Sequence, residues 1–176
     1  MILKKERTGV EKKLYELTEK VVKGENLNIY DVEYLASSGI LRVFIIDEKT
    51  DTAQLDDCVR VDKAFNPYFE SESWIPENIT LQVSSPGIYR RLTSLEQFKA
   101  QVGKRIKVIF FKALGEIVED APKKLKGAKI LVADLLEVTE EGVVLSENDY
   151  KFSVGFIDIK KANLEVNLFN ELRKES

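Results

Sequence analysis

The sequence predicts an α+β protein in which an amino-terminal α-β-β-α-β domain is followed by a small carboxy-terminal β-barrel. Apolar residues recur at helical spacing in two segments of the first half. Strand-like alternation occurs three times in the same half, and about five short alternating or apolar segments fill the second half. Two helices can cover one face of a three-stranded sheet, and several short strands suit a small barrel.

The first helix has recognisable start and stop signals. Thr8 precedes Glu11 by three residues, which is the spacing of a capping box, and Gly24 suits a helix end. The apolar positions between these signals follow helical spacing: Val10, Leu14, Leu17 and Val21. A helix is therefore expected from about residue 9 to residue 24.

Two strands joined by a short hairpin are expected next. The segments 27–35 and 40–47 are strand-like, and Ala36-Ser37-Ser38-Gly39 is a short polar connection between them. In the second strand Leu41, Val43 and Ile45 alternate with Arg42, Phe44 and Ile46. Because both sets are largely apolar, this strand is predicted to be buried on both faces.

A second helix is predicted to begin between Thr52 and Leu55 and to end or kink at Pro67, which lacks a backbone donor. One side of this helix is expected to carry Leu55, Cys58, Val59 and Phe65. The alternating segment 79–83 completes the α-β-β-α-β order.

The second half is expected to form short strands over 105–111, 128–138, 142–145, 151–154 and 159–166. The polar segment 115–127, with Pro122 and three lysines, is predicted to be a long exposed loop between the first two strands. The last ten residues, 167–176, suit a short helical tail.

Composition excludes several classes of function. The chain has 176 residues, of which 44% are hydrophobic and 32% are charged, and no apolar segment approaches membrane-spanning length. A cytoplasmic protein without a membrane partner is expected. There is no histidine and only one cysteine, so the usual general base, imidazole metal sites and internal disulfides are missing. We therefore expect no enzyme activity, no cofactor and no small-molecule substrate. No bound nucleotide is suggested either, since the sequence has neither a P-loop nor a dinucleotide fingerprint.

Four carboxylates near the second helix permit two interpretations. Asp47, Asp51, Asp56 and Asp57 could supply oxygen ligands to a divalent cation, as in a metal-dependent nuclease. The simpler interpretation places Asp56 and Asp57 at the positive end of the helix and the other two in a solvated loop. We expect no metal site.

The junction between the two halves is the most informative segment of the chain. The sequence Val83-Ser84-Ser85-Pro86-Gly87-Ile88-Tyr89-Arg90-Arg91-Leu92 resembles the junction of the ribosome maturation factor RimP family, whose pattern is V-S-S-P-G-L-D-R-P-L. Further matches in order and spacing are Asp31-Val32-Glu33-Tyr34, Leu41-Arg42-Val43, Ile46-Asp47, Leu55-Asp56-Asp57-Cys58 and Ile159-Lys160-Lys161-Ala162-Asn163-Leu164. Ser84, Ser85, Pro86 and Gly87 form the expected interdomain turn, although backbone geometry alone would explain these residue types.

This resemblance implies an amino-terminal α/β domain over 1–86 and a carboxy-terminal SH3-like or Sm-like barrel with a short tail over 87–176. It also implies a factor for maturation of the small (30S) ribosomal subunit. Such a factor binds the free, immature subunit through 16S rRNA and a small-subunit protein of the decoding region. Arg90 matches the family pattern, whereas Tyr89 and Arg91 replace its acidic residue and proline, so no role is carried over to them.

A local excess of positive charge suggests where RNA binds. Residues 99–129 contain nine basic and three acidic side chains, although the whole chain has a formal net charge of −3. The candidate RNA or ribosome contacts are Arg90, Arg91, Lys104, Arg105, Lys107, Lys123, Lys124 and Lys126. A solvated face that only maintains solubility remains an alternative, as does a generic Sm-like or SH3-like RNA-binding module or protein adaptor.

Overall fold

The computed structural model describes residue 3 and residues 6–165. These residues divide into two compact units, one formed by Glu6–Gly87 and the other containing residues 88–165. Both units combine helices with a β-sheet, so the predicted α+β class is confirmed. Each unit has its own hydrophobic core.

The first unit is a three-stranded sheet with two helices. Its elements are α1 (Gly9–Gly24), β1 (Asn28–Leu35), β2 (Ile40–Ile46), α2 (Leu55–Ser71) and β3 (Thr80–Ser84). The strand order is β1-β2-β3, with β1 antiparallel and β3 parallel to β2. A parallel pair needs a crossover connection, which α2 supplies.

The central strand β2 is buried on only one face. Leu41, Val43 and Ile45 are fully buried in the core that contains the buried side chains of both helices. Phe44 and the other alternate residues are only half-buried. The prediction that this strand is buried on both faces was therefore wrong, since its second face has no helix of this unit packed on it.

Both helices lie where the sequence placed them, but some details differ. Thr8 is the N-cap residue of α1, yet its side chain makes no capping hydrogen bond. In α2, Leu55 is 78% exposed and Val59 is 41% exposed, because the buried side of the helix is formed by Val61 and Phe65. The helix does not end at Pro67, which lies within it.

The second unit is a five-stranded antiparallel sheet with two short helices. Its elements are α3 (Leu95–Lys99), β4 (Arg105–Phe110), α4 (Leu114–Ile117), β5 (Ile130–Val138), β6 (Gly142–Glu147), β7 (Tyr150–Gly155) and β8 (Ile159–Leu164). The strand order is β7-β6-β5-β4-β8. All five predicted strands are present, while a closed SH3-like barrel stays a prediction.

The segment 115–127 is not a long exposed loop. Leu114 at the start of α4 is fully buried, Ala121 is 2% exposed, and both belong to the core of the second unit. Ile117, Val118 and Leu125 pack against the same core. The prediction was wrong because apolar side chains within the segment pack on the core of the second unit. The predicted tail, 167–176, lies outside the described residues.

Candidate nucleic-acid interface

The Ser-Ser-Pro-Gly segment is a hydrogen-bonded turn at the end of the first unit. Ser84 is the last residue of β3, and the Ser85 hydroxyl lies 3.3 Å from the Thr52 hydroxyl. The same Ser85 oxygen accepts a hydrogen bond from the Gly87 N–H at 3.3 Å. Gly87 has a φ of +72°, a conformation that glycine adopts without a steric penalty.

The residues after this turn run along the free edge of β8. The Leu92 N–H donates to the Ala162 carbonyl at 3.0 Å, and the Leu164 N–H donates to the Arg90 carbonyl at 2.9 Å. Arg91 forms an antiparallel bridge with Asn163. Because an edge strand exposes unpaired backbone groups, this pairing protects the β8 edge and fixes which way the two arginines point.

Arg90 and Arg91 lie on opposite faces of this segment, because successive residues of an extended chain alternate. Arg90 is only 8% exposed, whereas Arg91 is exposed. Burial does not favour the predicted RNA contact of Arg90, since a buried guanidinium is not presented to a phosphate. Arg91, which departs from the family pattern, is the accessible arginine of the pair.

The outer face of the sheet places Arg91 close to two lysines. Asn163 is the partner of Arg91 on one side and of Lys107 on the other. Two residues further along β8, Lys161 is paired with Ile109 of β4. Paired residues of an antiparallel ladder point to the same face, so Arg91, Lys107 and Lys161 surround Asn163 on one surface. We call these four residues the outer basic cluster.

Asn163 is held in place within the outer basic cluster. Its side-chain amide donates a hydrogen bond to the Tyr89 carbonyl at 2.9 Å. All three cationic side chains are on exposed residues, and the core-facing residues between them, such as Ile106 and Val108, are fully buried. The three cations therefore lie on the outer face of a sheet whose inner face is apolar and buried.

Arg105 lies on the same face but is paired with carboxylates. Its guanidinium donates to Glu147 at 2.7 Å and to the Val132 carbonyl at 3.0 Å, and its Nε lies 3.7 Å from Asp134. Two acidic partners offset its charge, which weakens its attraction for a phosphate. The structure therefore favours Arg105 as a cross-strand tie more than as an RNA contact.

The remaining predicted lysines are exposed. Lys104 directly precedes β4, and its carbonyl accepts a hydrogen bond from the Leu135 N–H at 2.9 Å. Lys123, Lys124 and Lys126 lie on one tight turn, in which the Lys126 N–H donates to the Pro122 carbonyl at 3.0 Å. Their contact with RNA stays a prediction.

Sequence reasoning missed Lys161 as a candidate contact. It lies outside the 99–129 segment in which charge was counted, and only the β4–β8 register brings it beside Lys107. The available signal was its position in the closing strand, with Lys160 and Lys161 between buried Ile159 and Ala162.

Of the four carboxylates near α2, Asp57 has a structural role at the start of the helix. Asp56 and Asp57 lie in the first turn of the helix, and Asp57 accepts a hydrogen bond from the Gln54 N–H at 2.8 Å. Asp57 also pairs with Arg60 at 2.9 Å. Within residues 3 and 6–165, no three histidine, cysteine or acidic side chains are arranged to hold a metal ion. Burial, followed by the charge of Asp57, raises the pKa of the Cys58 thiol.

These features describe an α+β protein whose second sheet presents clustered cations, an arrangement typical of proteins that contact phosphates. No helix in the described part of the chain is long and apolar enough to cross a membrane. Residues 17–89 match the family model of the RimP N-terminal domain. The similarity to the RimP family of ribosome maturation factors is therefore confirmed.

Proposed function

We propose that this protein assists maturation of the small (30S) ribosomal subunit by binding the free, immature particle. The observation that carries this proposal is the RimP N-terminal domain over residues 17–89. The outer basic cluster adds a surface suited to phosphates of 16S rRNA, and the second partner is a small-subunit protein of the decoding region. The protein would act in the cytoplasm, where these particles assemble.

The proposed mechanism is differential binding without covalent chemistry. A factor that binds a partly assembled state more tightly than the mature state lowers the free energy of the former and dissociates from the latter. We propose that the two units are independent domains, divided near residue 86. The second of these domains would be an SH3-like barrel. Contact through Lys107 and Lys161 would involve phosphates and RNA shape more than base sequence.

Sedimentation with separated ribosomal particles tests this function. The purified protein is mixed with small subunits, large subunits or joined ribosomes at low and moderate salt. Selective migration with free small subunits is the expected result. Equal binding to all three particles, or to none, would instead favour a generic RNA-binding module or adaptor, which would bind naked single-stranded RNA equally well.

A further inference from the structure

The sheet of the first unit has one face on which neither helix packs. The side chains of β2 alternate, so Leu41, Val43 and Ile45 point to the helices and the alternate residues point away. The outward residues of β2 are Ile40, Arg42, Phe44 and Ile46, and we call them the helix-free face.

Three of the four residues of the helix-free face are apolar. Ile40, Phe44 and Ile46 are half-buried, and among the described residues they belong to neither hydrophobic core. Leu35 of β1, which is paired with Ile40 of β2, is 37% exposed. Ile40 and Leu35 are cross-strand neighbours, whereas Phe44 lies between Asp31 and Ser84. Apolar side chains that belong to neither core mark this face as a candidate interaction surface.

A polar bridge crosses the middle of this face. Arg42 donates from Nε to Gln82 on β3 at 3.0 Å, and its guanidinium lies 3.9 Å from Glu33 on β1. The three side chains span all three strands, between Ile40 and Phe44. An apolar surface with a central arginine held by neighbours has the composition of a protein–protein contact.

The charge of the unit decides which class of partner fits. Residues 6–87 contain nine basic and sixteen acidic side chains, a formal net charge of −7. Such a field repels phosphate groups and attracts cationic surfaces. A basic protein is therefore favoured over RNA on this unit, in contrast to the outer basic cluster of the other unit.

We propose that the helix-free face binds a basic protein of the immature small subunit, whose apolar side chains pack on Ile40 and Phe44. This inference rests on the proposed function and adds the surface and the chemistry of the protein contact. Phe44 lies opposite Ser84, where β3 enters the Ser-Ser-Pro-Gly turn, so the contact lies next to the junction residues.

Photocrosslinking from the full chain tests the proposal. A benzophenone amino acid replaces Phe44, the variant is bound to purified free small subunits, and adducts are digested separately with ribonuclease and protease. The expected adduct survives ribonuclease and contains a basic protein of the particle. The matched control carries the same group at Leu55, which is 78% exposed on α2, and it should give at least fivefold less of this adduct.

The other outcomes each overturn the inference. An adduct destroyed by ribonuclease would assign the face to RNA, and an adduct formed without subunits would assign it to the chain itself or a second copy. Binding without any adduct at position 44 would also reject the surface. If the unmodified protein failed to sediment with small subunits, the proposed function would fail together with the inference.

A substitution gives an independent measurement. Phe44→Asp should weaken binding to small subunits at least tenfold, whereas Leu55→Asp should change it less than twofold. Thermal unfolding of both variants shows whether they remain folded. If Phe44→Asp unfolds, the crosslinking result decides alone, because an aromatic group is kept there.

Discussion

Arg91 and Lys107 lie on the two sides of Asn163, on the outer face of the carboxy-terminal sheet. They come from segments that are distant in sequence, and the edge pairing of residues 89–92 with β8 brings them together. With two strand spacings of about 4.8 Å between their backbones, both side chains can reach one stretch of an RNA backbone. Two predictions concern this face, and a third concerns the buried neighbour of Arg91, Arg90.

Charge reversal of the cluster should weaken RNA-dependent binding. A variant combining Arg91→Glu, Lys107→Glu and Lys161→Glu removes three cations from one surface, so affinity for small subunits should fall at least tenfold at low salt. The slope of log affinity against log salt should also flatten by roughly 0.7 to 0.9 for each lost phosphate contact. Lys63→Glu, at an exposed position of α2 in the other unit, is the control for a nonspecific charge effect. An unchanged slope would remove the cluster from the mechanism.

Neutralising Arg105 should leave the affinity for small subunits nearly unchanged. Its charge is already offset by Glu147 at 2.7 Å and Asp134 at 3.7 Å. Arg105→Gln should therefore alter affinity for small subunits less than twofold and reduce the free energy of unfolding by about 0 to 1 kcal/mol, as for other exposed ion pairs. Titration and urea unfolding measure the two effects. A loss of binding as large as that of Lys107→Gln would show that Arg105 contacts the RNA after all.

Truncating Arg90 should affect stability more than binding. The side chain is 8% exposed, so Arg90→Ala removes buried contacts and hydrogen-bonding groups. The expected loss in free energy of unfolding is about 1 to 3 kcal/mol. Comparison with Arg91→Ala, which changes an exposed neighbour, separates the two roles by urea unfolding and sedimentation. Weaker binding at unchanged stability would restore Arg90 as a ligand contact.

The sequence predicted strand existence well because alternation is a local property. Each of the strands β4 to β8 was visible as a short alternating or apolar segment. Burial was harder to predict, since it depends on what packs above a face: β2 was expected to be covered twice, but Phe44 is only half-buried. Helix α3 was missed, although Ser94 and Gln97 have the spacing of a capping box.

The candidate site was less predictable than the strands because it depends on contacts between residues that are distant in sequence. Charge counting found Lys107 but could not reveal that Arg105 is paired across the sheet with Glu147. Lys161 joins the site only through strand register, which is a long-range property. The family pattern pointed to Arg90, whereas alternation along the paired segment exposes Arg91 instead.

Cys58 should react slowly with alkylating reagents at neutral pH. Burial and the nearby charge of Asp57 raise the pKa of the thiol, so a smaller fraction is the reactive thiolate. The rate of alkylation by iodoacetamide should rise with pH along a curve displaced to higher pH than that of glutathione. Asp57→Asn should move the curve back towards lower pH, because it removes the negative charge that helps to raise the pKa of the Cys58 thiol. A curve at or below that of glutathione would contradict the assignment.

Replacing Gly87 by alanine should strain the turn between the two units. The residue has a φ of +72°, and a Cβ there would meet no atom within 4 Å, so the cost is conformational and not steric crowding by neighbours. We expect Gly87→Ala to lower the free energy of unfolding by about 1 kcal/mol, and Gly87→Asn by less, since asparagine enters the left-handed region more readily. Gly127→Ala is the matched control, because that glycine has equally open space and no positive φ. Urea unfolding of the three variants measures the difference, and an equal effect of both alanine substitutions would show that the positive φ of Gly87 is not required.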